Sequence, residues 1–512
     1  MPKPLTLDGT SLSLADLAPL FRGEELELSL ARKAQENVRR GRAVVEEFVR
    51  RNEPVYGITT GFGKLKNVAI PAAELAELQE NLILSHCCGV GEPMPLAEVR
   101  CAQVLRLNGL ARGHSGVSPA LLERLVELFN AGFVPLVPQK GSVGASGDLA
   151  PLAHMTAAYL GHGEAFVGGK RLSARAALRK LGLAPLRLGA KEGLALINGT
   201  EVIKAVATGV LLRAENVSKA ADALAALSIE ALLGSLKPFD ARFAELKGQP
   251  GHARVARNVR RCLEGSQVLA SHADCDRVQD PYSLRCVPQI HGAFKAALEH
   301  ARTQVENELN AVTDNPVVFP RTREVISGGQ FHGQPLAMPL DYLALALSTL
   351  GNVSERRIEQ LVNPDLSHLP AFLTPRPGLN SGLMIAQVAA AALASENKVL
   401  SHPASVDTIP TSANQEDHVS MGVTAARKAR EIVSNVESIL ALEWLAAAQG
   451  REFHAELKAG PGAEAARRLL RSRVPPLLRD RFLKDDIEAA RELLQSGALV
   501  LAVEAAAGEL EA

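Results

Sequence analysis

No sign of charge dominates this sequence. Lysine plus arginine and aspartate plus glutamate each number 56 in 512 residues, and no long basic block stands out. The usual electrostatic case for nucleic acid or an anionic membrane is therefore missing, and a small molecule becomes the default partner. Cysteine is sparse. The six (Cys87, Cys88, Cys101, Cys262, Cys275, Cys286) contain no Cys-x-x-Cys pair and include two sequence neighbours, which suits reduced thiols better than a disulfide framework or a zinc site. The thirteen histidines contain no His-Glu-x-x-His pair, so no metal motif is present. The opening Met1-Pro2-Lys3-Pro4-Leu5 lacks the apolar core of a secretory signal, and no uninterrupted apolar run reaches the length of a membrane span. A cytoplasmic protein is the expectation.

Apolar residues make up 47 % and charged residues 22 %, the balance of a globular chain long enough for two or three packed domains. The first part mixes turn-rich segments with short helices, and the stretch beyond about residue 200 reads as strongly helical. Ile203, Val206, Val210, Ala214 and Val217 fall at helical spacing with Arg213 and Glu215 off the stripe. Ile432, Val436, Ile439 and Leu440 repeat it among Arg427, Arg430, Glu431 and Glu437. Such stripes are packing surfaces and carry no chemistry. Segments near 342–362 and 382–400 are also helix-rich, and Asp486 reads as an N-cap before a C-terminal helix. The pattern predicts a mainly α fold: a loop-rich N-terminal domain over 1–200 and a long-helix bundle over 201–512 that packs closely, within or between subunits.

Chemistry concentrates in the turn Gly141-Ser142-Val143-Gly144-Ala145-Ser146-Gly147-Asp148. Clusters of Gly, Ser and Asp mark ordinary loops far more often than they mark cofactors. A phosphate loop fails because Gly147 is followed by Asp148 where Lys-Ser/Thr is required. A serine-hydrolase elbow fails because no residue separates Ser146 from Gly147. What the turn does permit is attack of the Gly147 amide nitrogen on the Ala145 carbonyl, followed by loss of water from Ser146. The product is a five-membered imidazolone with an exocyclic methylene, an electrophile that no ordinary side chain supplies. Glycine lets the nitrogen approach and tolerates the positive φ of a tight turn.

Two of only four tyrosines sit in segments punctuated by glycine or proline, Tyr56-Gly57-Ile58-Thr59-Thr60-Gly61-Phe62-Gly63 and Gln279-Asp280-Pro281-Tyr282-Ser283-Leu284-Arg285. With them stand Asp148-Leu149-Ala150-Pro151-Leu152-Ala153-His154, Ile197-Asn198-Gly199-Thr200, Ser327-Gly328-Gly329-Gln330-Phe331-His332 and Ser412-Ala413-Asn414-Gln415-Glu416-Asp417-His418. In this order and spacing the segments resemble the aromatic amino acid ammonia-lyases, and within them the histidine-acting branch. The likeness runs from about Tyr56 to Glu416 and extends toward both ends.

The resemblance implies a mainly α-helical homotetramer with active sites drawing loops from more than one subunit. It also implies a methylidene-imidazolone group (MIO) formed autocatalytically from Ala145, Ser146 and Gly147, with no metal and no nucleotide. The implied reaction is non-oxidative deamination of L-histidine to trans-urocanate and ammonia. Ser85-His86 stands where tyrosine-specific relatives carry His-Leu and phenylalanine-specific ones Phe-Leu; a polar pair can hydrogen-bond an imidazole that leucine would leave unpaired. By the same resemblance Tyr282 is a candidate base for the β-proton and Tyr56 sits beside the reacting carbon. Arg285 binds the substrate carboxylate, Asn198 and Gln279 orient MIO and substrate, and Phe331 contributes to substrate binding. His86 and Glu416 contact the imidazole or transfer a proton. A free phenol needs nearby positive charge to act as a base at neutral pH, and Arg285, three residues beyond Tyr282, could supply it.

The sequence departs from the family pattern at Cys87 and Cys88, where alanines are common, and at Gln330, where asparagine is frequent. An exposed Cys87 or Cys88 would confer sensitivity to thiol reagents. The competing readings are a tyrosine or phenylalanine lyase, an aminomutase that returns ammonia to the β-carbon, and a helical assembly protein without chemistry. Intact Ala145-Ser146-Gly147, Tyr56, Tyr282 and Arg285 weigh against the last, and Ser85-His86 against the others.

Overall fold

The computed structural model describes residues 2–51, 53–275 and 277–512. Helices dominate, and the longest strands, Lys3–Leu7 and Leu26–Leu30, span five residues each. The chain divides into two units, Met1–Gly209 with Arg302–Leu340 and Pro403–Arg427, and Val210–Ala301 with Asp341–His402 and Lys428–Ala512.

In the first unit Lys3–Leu7 pairs parallel with Leu26–Leu30, Leu5 opposite Leu28. Between them lies a helix, Leu14–Phe21, opened by a capping box: the Ser13 side chain accepts from Asp16 N, and the Asp16 side chain accepts from Ser13 N. This unit is more helical than the sequence suggests. Arg32–Arg51 and Leu96–Ala111 run for 20 and 16 residues, the latter buried along most of its length. Leu75–His86 ends at the Ser85-His86 pair, and Leu149–Tyr159 begins directly after the Gly141–Asp148 turn.

The second unit holds the greater part of the long helices Glu201–Ala231, Val287–Leu309, Gln334–Val362 and Gly422–Arg451, together with Met384–Leu400. The stripe Ile203, Val206, Val210, Ala214 and Val217 is buried, as are Ile432, Val436, Ile439 and Leu440. Small side chains at Ala220, Ala221, Ala223, Ala225 and Ala226 bury the helix on several faces at once, so a single apolar stripe understates it. Glu437, expected on a polar face, is also buried. Arg213 grips it through two bonds, Nε to Oε1 at 2.8 Å and Nη2 to Oε2 at 2.7 Å, which makes burial of the carboxylate tolerable.

Further polar groups lie at the centre of the second unit. Arg357 meets Glu443 in a fully buried bidentate pair, and Ser228 and Ser354 donate to the same carboxylate. His291 Nε2 faces the Arg357 Nη1 donor at 3.3 Å and therefore accepts, so Nδ1 carries the proton and donates to Asp222 at 2.7 Å. Burial holds this histidine neutral, with its pKa below the usual range despite Asp222. Groups so enclosed specify one arrangement because each would be costly to leave unpaired.

One reading needs correction. Asp486 is not an N-cap: the helix begins at Leu483, and Asp486 lies in its first turn, where a carboxylate suits the positive end of the dipole, paired with Arg481 at 2.8 Å. The Gln334–Val362 helix is long and apolar enough, by length and composition, to cross a membrane, although Asp341, Glu355, Arg356 and Arg357 interrupt its apolar run. It is 67 % buried over its most apolar stretch, as a core helix is. All six cysteines are free thiols.

Candidate active site

Two glycines of the turn adopt left-handed backbone against close neighbours. Gly147 sits at φ +74°, and a Cβ there would lie 2.0 Å from the Gly199 carbonyl oxygen. Gly144, at φ +70°, would place a Cβ 2.2 Å from Ser420 Oγ. The Asn198-Gly199 segment packs on the turn as a short parallel bridge, with Asp148 N donating to Gly199 O at 2.7 Å. Asn198 Nδ2 donates to the Ser146 carbonyl at 3.2 Å. Behind it, Arg106 donates to the carbonyls of Ala195 and Asn198 and is ion-paired with buried Glu201. The segment that touches Ser146 is thereby fixed from below.

Asp148 anchors the other end. Its Oδ2 accepts from Val202 N at 2.8 Å and Ile203 N at 2.9 Å, two amides in the first turn of the Glu201–Ala231 helix that have no partner within that helix. Its Oδ1 is buried without a hydrogen-bond partner. Burial pushes the carboxyl up to about 7, with nearby Glu201 adding to the rise and the two amides opposing it.

Ser146 Oγ donates to Glu416 Oε1 at 2.7 Å, and Thr411 Oγ1 donates to Glu416 Oε2 at 2.5 Å. Glu416 reaches this position on a tight loop closed by paired backbone bonds between Thr411 and Glu416. Three successive residues without the freedom of glycine, Ser412, Ala413 and Asn414, adopt φ of +49°, +53° and +65° there. Backbone held in the left-handed region at such residues is strained, and it persists here beside the Glu416 carboxylate.

A cavity of about 480 Å³ joins these groups, and Tyr56, Ala145, Ser146, Asn198, Phe331 and Glu416 all line it. The Tyr56 hydroxyl accepts from Gly63 N at 3.4 Å. Burial, reinforced by Glu416 and Asp314, raises its pKa, so this phenol stays protonated at neutral pH. Lys66 Nζ donates to Gln415 Oε1 at 2.7 Å, which ties the Tyr56 loop to the Glu416 loop. His332 and His418 stack at the cavity wall with centroids 5.7 Å apart. Thr411, Lys66 and this histidine pair were not singled out by sequence; Gln415, His332 and His418 lie within recognised segments, but nothing there distinguishes them from their neighbours.

His86 lies apart from that cavity wall. Its Nδ1 is 3.1 Å from Ser85 Oγ, and Ser85 Oγ donates to Leu82 O at 3.1 Å. The one hydroxyl proton being so used, Nδ1 donates to Ser85 and Nε2 is left as an acceptor. Burial lowers the His86 pKa, while Glu416 is close enough to oppose the shift. Gly89 N donates to His154 Nε2 at 3.0 Å, pinning the segment that follows. Burial pushes the Cys87 thiol up to about 11, which removes thiolate reactivity at that position; Cys88 is exposed.

Gln279, Tyr282 and Arg285 belong to the second unit. Tyr282 is 69 % exposed at the start of the short helix Tyr282–Arg285. The Arg285 guanidinium lies over its ring, 4.5 Å from the centroid, in a cation–π contact. Gln279 and Arg285 line a cavity of about 350 Å³, and Arg285 Nε is buried without a hydrogen-bond partner.

Residues 12–472 match the family model described as aromatic amino acid lyase. A histidine ammonia-lyase from Myxococcus xanthus is 50 % identical over 502 residues, covering 98 % of this chain and 99 % of the relative. Another from Symbiobacterium thermophilum is 52 % identical, with 98 % and 99 % covered. Among solved structures, histidine ammonia-lyase from Trypanosoma cruzi superposes with a TM-score of 0.91 at 42 % identity, covering 98 % of this chain and 95 % of that one. Tyrosine aminomutase from Streptomyces globisporus reaches 0.93 at 36 % identity, covering 99 % and 100 %.

Proposed function

Because the chain belongs to the aromatic amino acid lyase family, we propose that it is an ammonia-lyase acting on L-histidine, releasing ammonia and trans-urocanate with MIO formed from Ala145, Ser146 and Gly147. The observation that carries this reading is the placement of Ser146 on a cavity wall, with its carbonyl on Asn198 and its hydroxyl on Glu416. The turn fits the group: only glycine is accommodated at 147, and the peptides on either side are fixed by the Gly199 and Asp148 contacts. MIO supplies an electrophilic methylene that turns the substrate amine into a leaving group, which ordinary side chains cannot do.

The other roles belong to this chain's own residues. Arg285 offers a planar fork to the substrate carboxylate, and Gln279 orients the substrate beside it. Tyr282 takes the β-proton, with the Arg285 guanidinium lying over its ring. Tyr56, kept protonated, donates a hydrogen bond near the reacting carbon, and Phe331 supplies an apolar wall. His86 Nε2 accepts from the ring N–H of the substrate imidazole, and Glu416 contacts that ring or moves a proton.

In this proposal four copies assemble, with active sites built from more than one subunit, and residues 1–200 carry the MIO-bearing part while 201–512 carry the bundle. Exposed apolar side chains on the second unit, Tyr342, Leu345, Ile385 and Val388, offer surface for such association. A tyrosine aminomutase and a phenylalanine ammonia-lyase share the fold, so the fold does not discriminate among these activities; the Ser85-His86 pair favours histidine. Intact mass and peptide mapping test the cofactor. Mature protein is expected two waters lighter than its sequence, both lost between Ala145 and Gly147, and an unmodified Ser146 in active protein would contradict the reading.

A further inference from the structure

Ring closure at the turn makes and breaks specific bonds. The Gly147 nitrogen bonds to the Ala145 carbonyl carbon, and the Ala145 oxygen leaves as water with the amide protons of Gly147 and Ser146. The Ser146 hydroxyl then leaves as a second water with its Cα proton. An amide nitrogen is a poor nucleophile because its lone pair is delocalised into its own peptide bond. What the surrounding chain can add is proximity and orientation.

One side chain brackets the reacting tripeptide. Ser142 Oγ accepts from Gly144 N at 3.2 Å and donates to Gly147 O at 3.2 Å, so a single hydroxyl ties the residue before Ala145 to the last residue of the ring-forming trio. The remaining contacts act from outside the turn. Gly144 O accepts from Ser420 Oγ at 2.9 Å and Gly333 N at 3.3 Å, Val143 O accepts from Met421 N at 2.7 Å, and Asp148 N donates to Gly199 O. They fix where the turn sits; Ser142 alone among them joins its two ends. None of these bonds uses the Gly147 N–H, which the closure consumes.

We infer that Ser142 is a positioning residue for the autocatalytic cyclisation, holding the Gly147 nitrogen and the Ala145 carbonyl in the folded-back arrangement that closure requires. The inference rests on the MIO reading above. The test follows maturation rather than turnover. The full chain is synthesised in a cell-free pulse, its intact mass is followed with time, and folding is monitored by circular dichroism. Wild type is expected to lose two waters. Ser142→Ala, and Ser142→Cys with a similar shape but weak hydrogen bonding, should fold yet lose them roughly tenfold to a hundredfold more slowly. Ser142→Thr, which keeps the hydroxyl, should mature at about the wild-type rate. If the Ala or Cys variant matures at the wild-type rate, or the Thr variant is as slow as Ala, the role of Ser142 is overturned. A wild-type chain that keeps both waters overturns the MIO reading instead.

Discussion

Glu416 holds Ser146: the serine hydroxyl donates to one oxygen of the carboxylate at 2.7 Å, while Thr411 occupies the other at 2.5 Å. On the proposed reading, a carboxylate presented in this way, on a strained loop and within the cavity that Ser146 lines, serves in proton transfer or contacts the substrate ring. Glu416→Gln keeps the shape and can still bond Thr411 and, before ring closure, the Ser146 hydroxyl. Its fold should be unchanged and its turnover of histidine should fall by roughly 10²- to 10⁴-fold. Steady-state kinetics on protein of verified mass check this; turnover within a few-fold of wild type would remove Glu416 from the chemistry.

Specificity should follow His86. With Nδ1 donating to Ser85 Oγ, His86 keeps Nε2 as a hydrogen-bond acceptor, which a leucine cannot offer. His86→Leu should reduce the preference for histidine over phenylalanine by roughly tenfold to a hundredfold, the effect of one hydrogen-bonding contact on a rate ratio. Ratios of kcat/KM for the two substrates measure it, and an unchanged ratio would mean the imidazole is recognised elsewhere.

Stability should carry the signature of Asp148. Burial raises its pKa from the ordinary 3.8 to about 7, so between those values the folded chain binds up to one proton more than the unfolded chain. The stabilisation from this group is complete below about pH 4 and is lost as pH rises toward 7. Asp148→Asn cannot titrate and keeps a carbonyl oxygen for Val202 N and Ile203 N. Its unfolding midpoint should therefore fall less, relative to wild type, over pH 4 to 7. Parallel midpoints across that range would show that the carboxyl titrates normally.

What the sequence discloses depends on how local the cause is. The Ala145-Ser146-Gly147 turn is legible because its requirement, glycine at positive φ, is met within a few residues, and the buried stripe from Ile203 to Val217 is legible because helical spacing repeats it. Tyr282 and Arg285, three apart on a short helix, could be paired by the same reasoning. The burial of Asp148 and of Glu437 could not be read, since each depends on a partner brought by folding: the start of the Glu201–Ala231 helix in one case, Arg213 in the other. The Lys66–Gln415 tie and the His332–His418 stack are hidden for the same reason, each joining loops that are far apart in the chain.

The most direct test of the account is to give the purified protein L-histidine, L-tyrosine and L-phenylalanine in separate cuvettes and follow the ultraviolet absorbance of the conjugated acid. Absorbance is expected to rise with L-histidine, with urocanate and ammonia formed in equal amounts, and to stay nearly flat with the other two. Ser146→Ala, folded but unable to form the methylene, should give no rise. A faster reaction with tyrosine or phenylalanine, or full activity in Ser146→Ala, would contradict it.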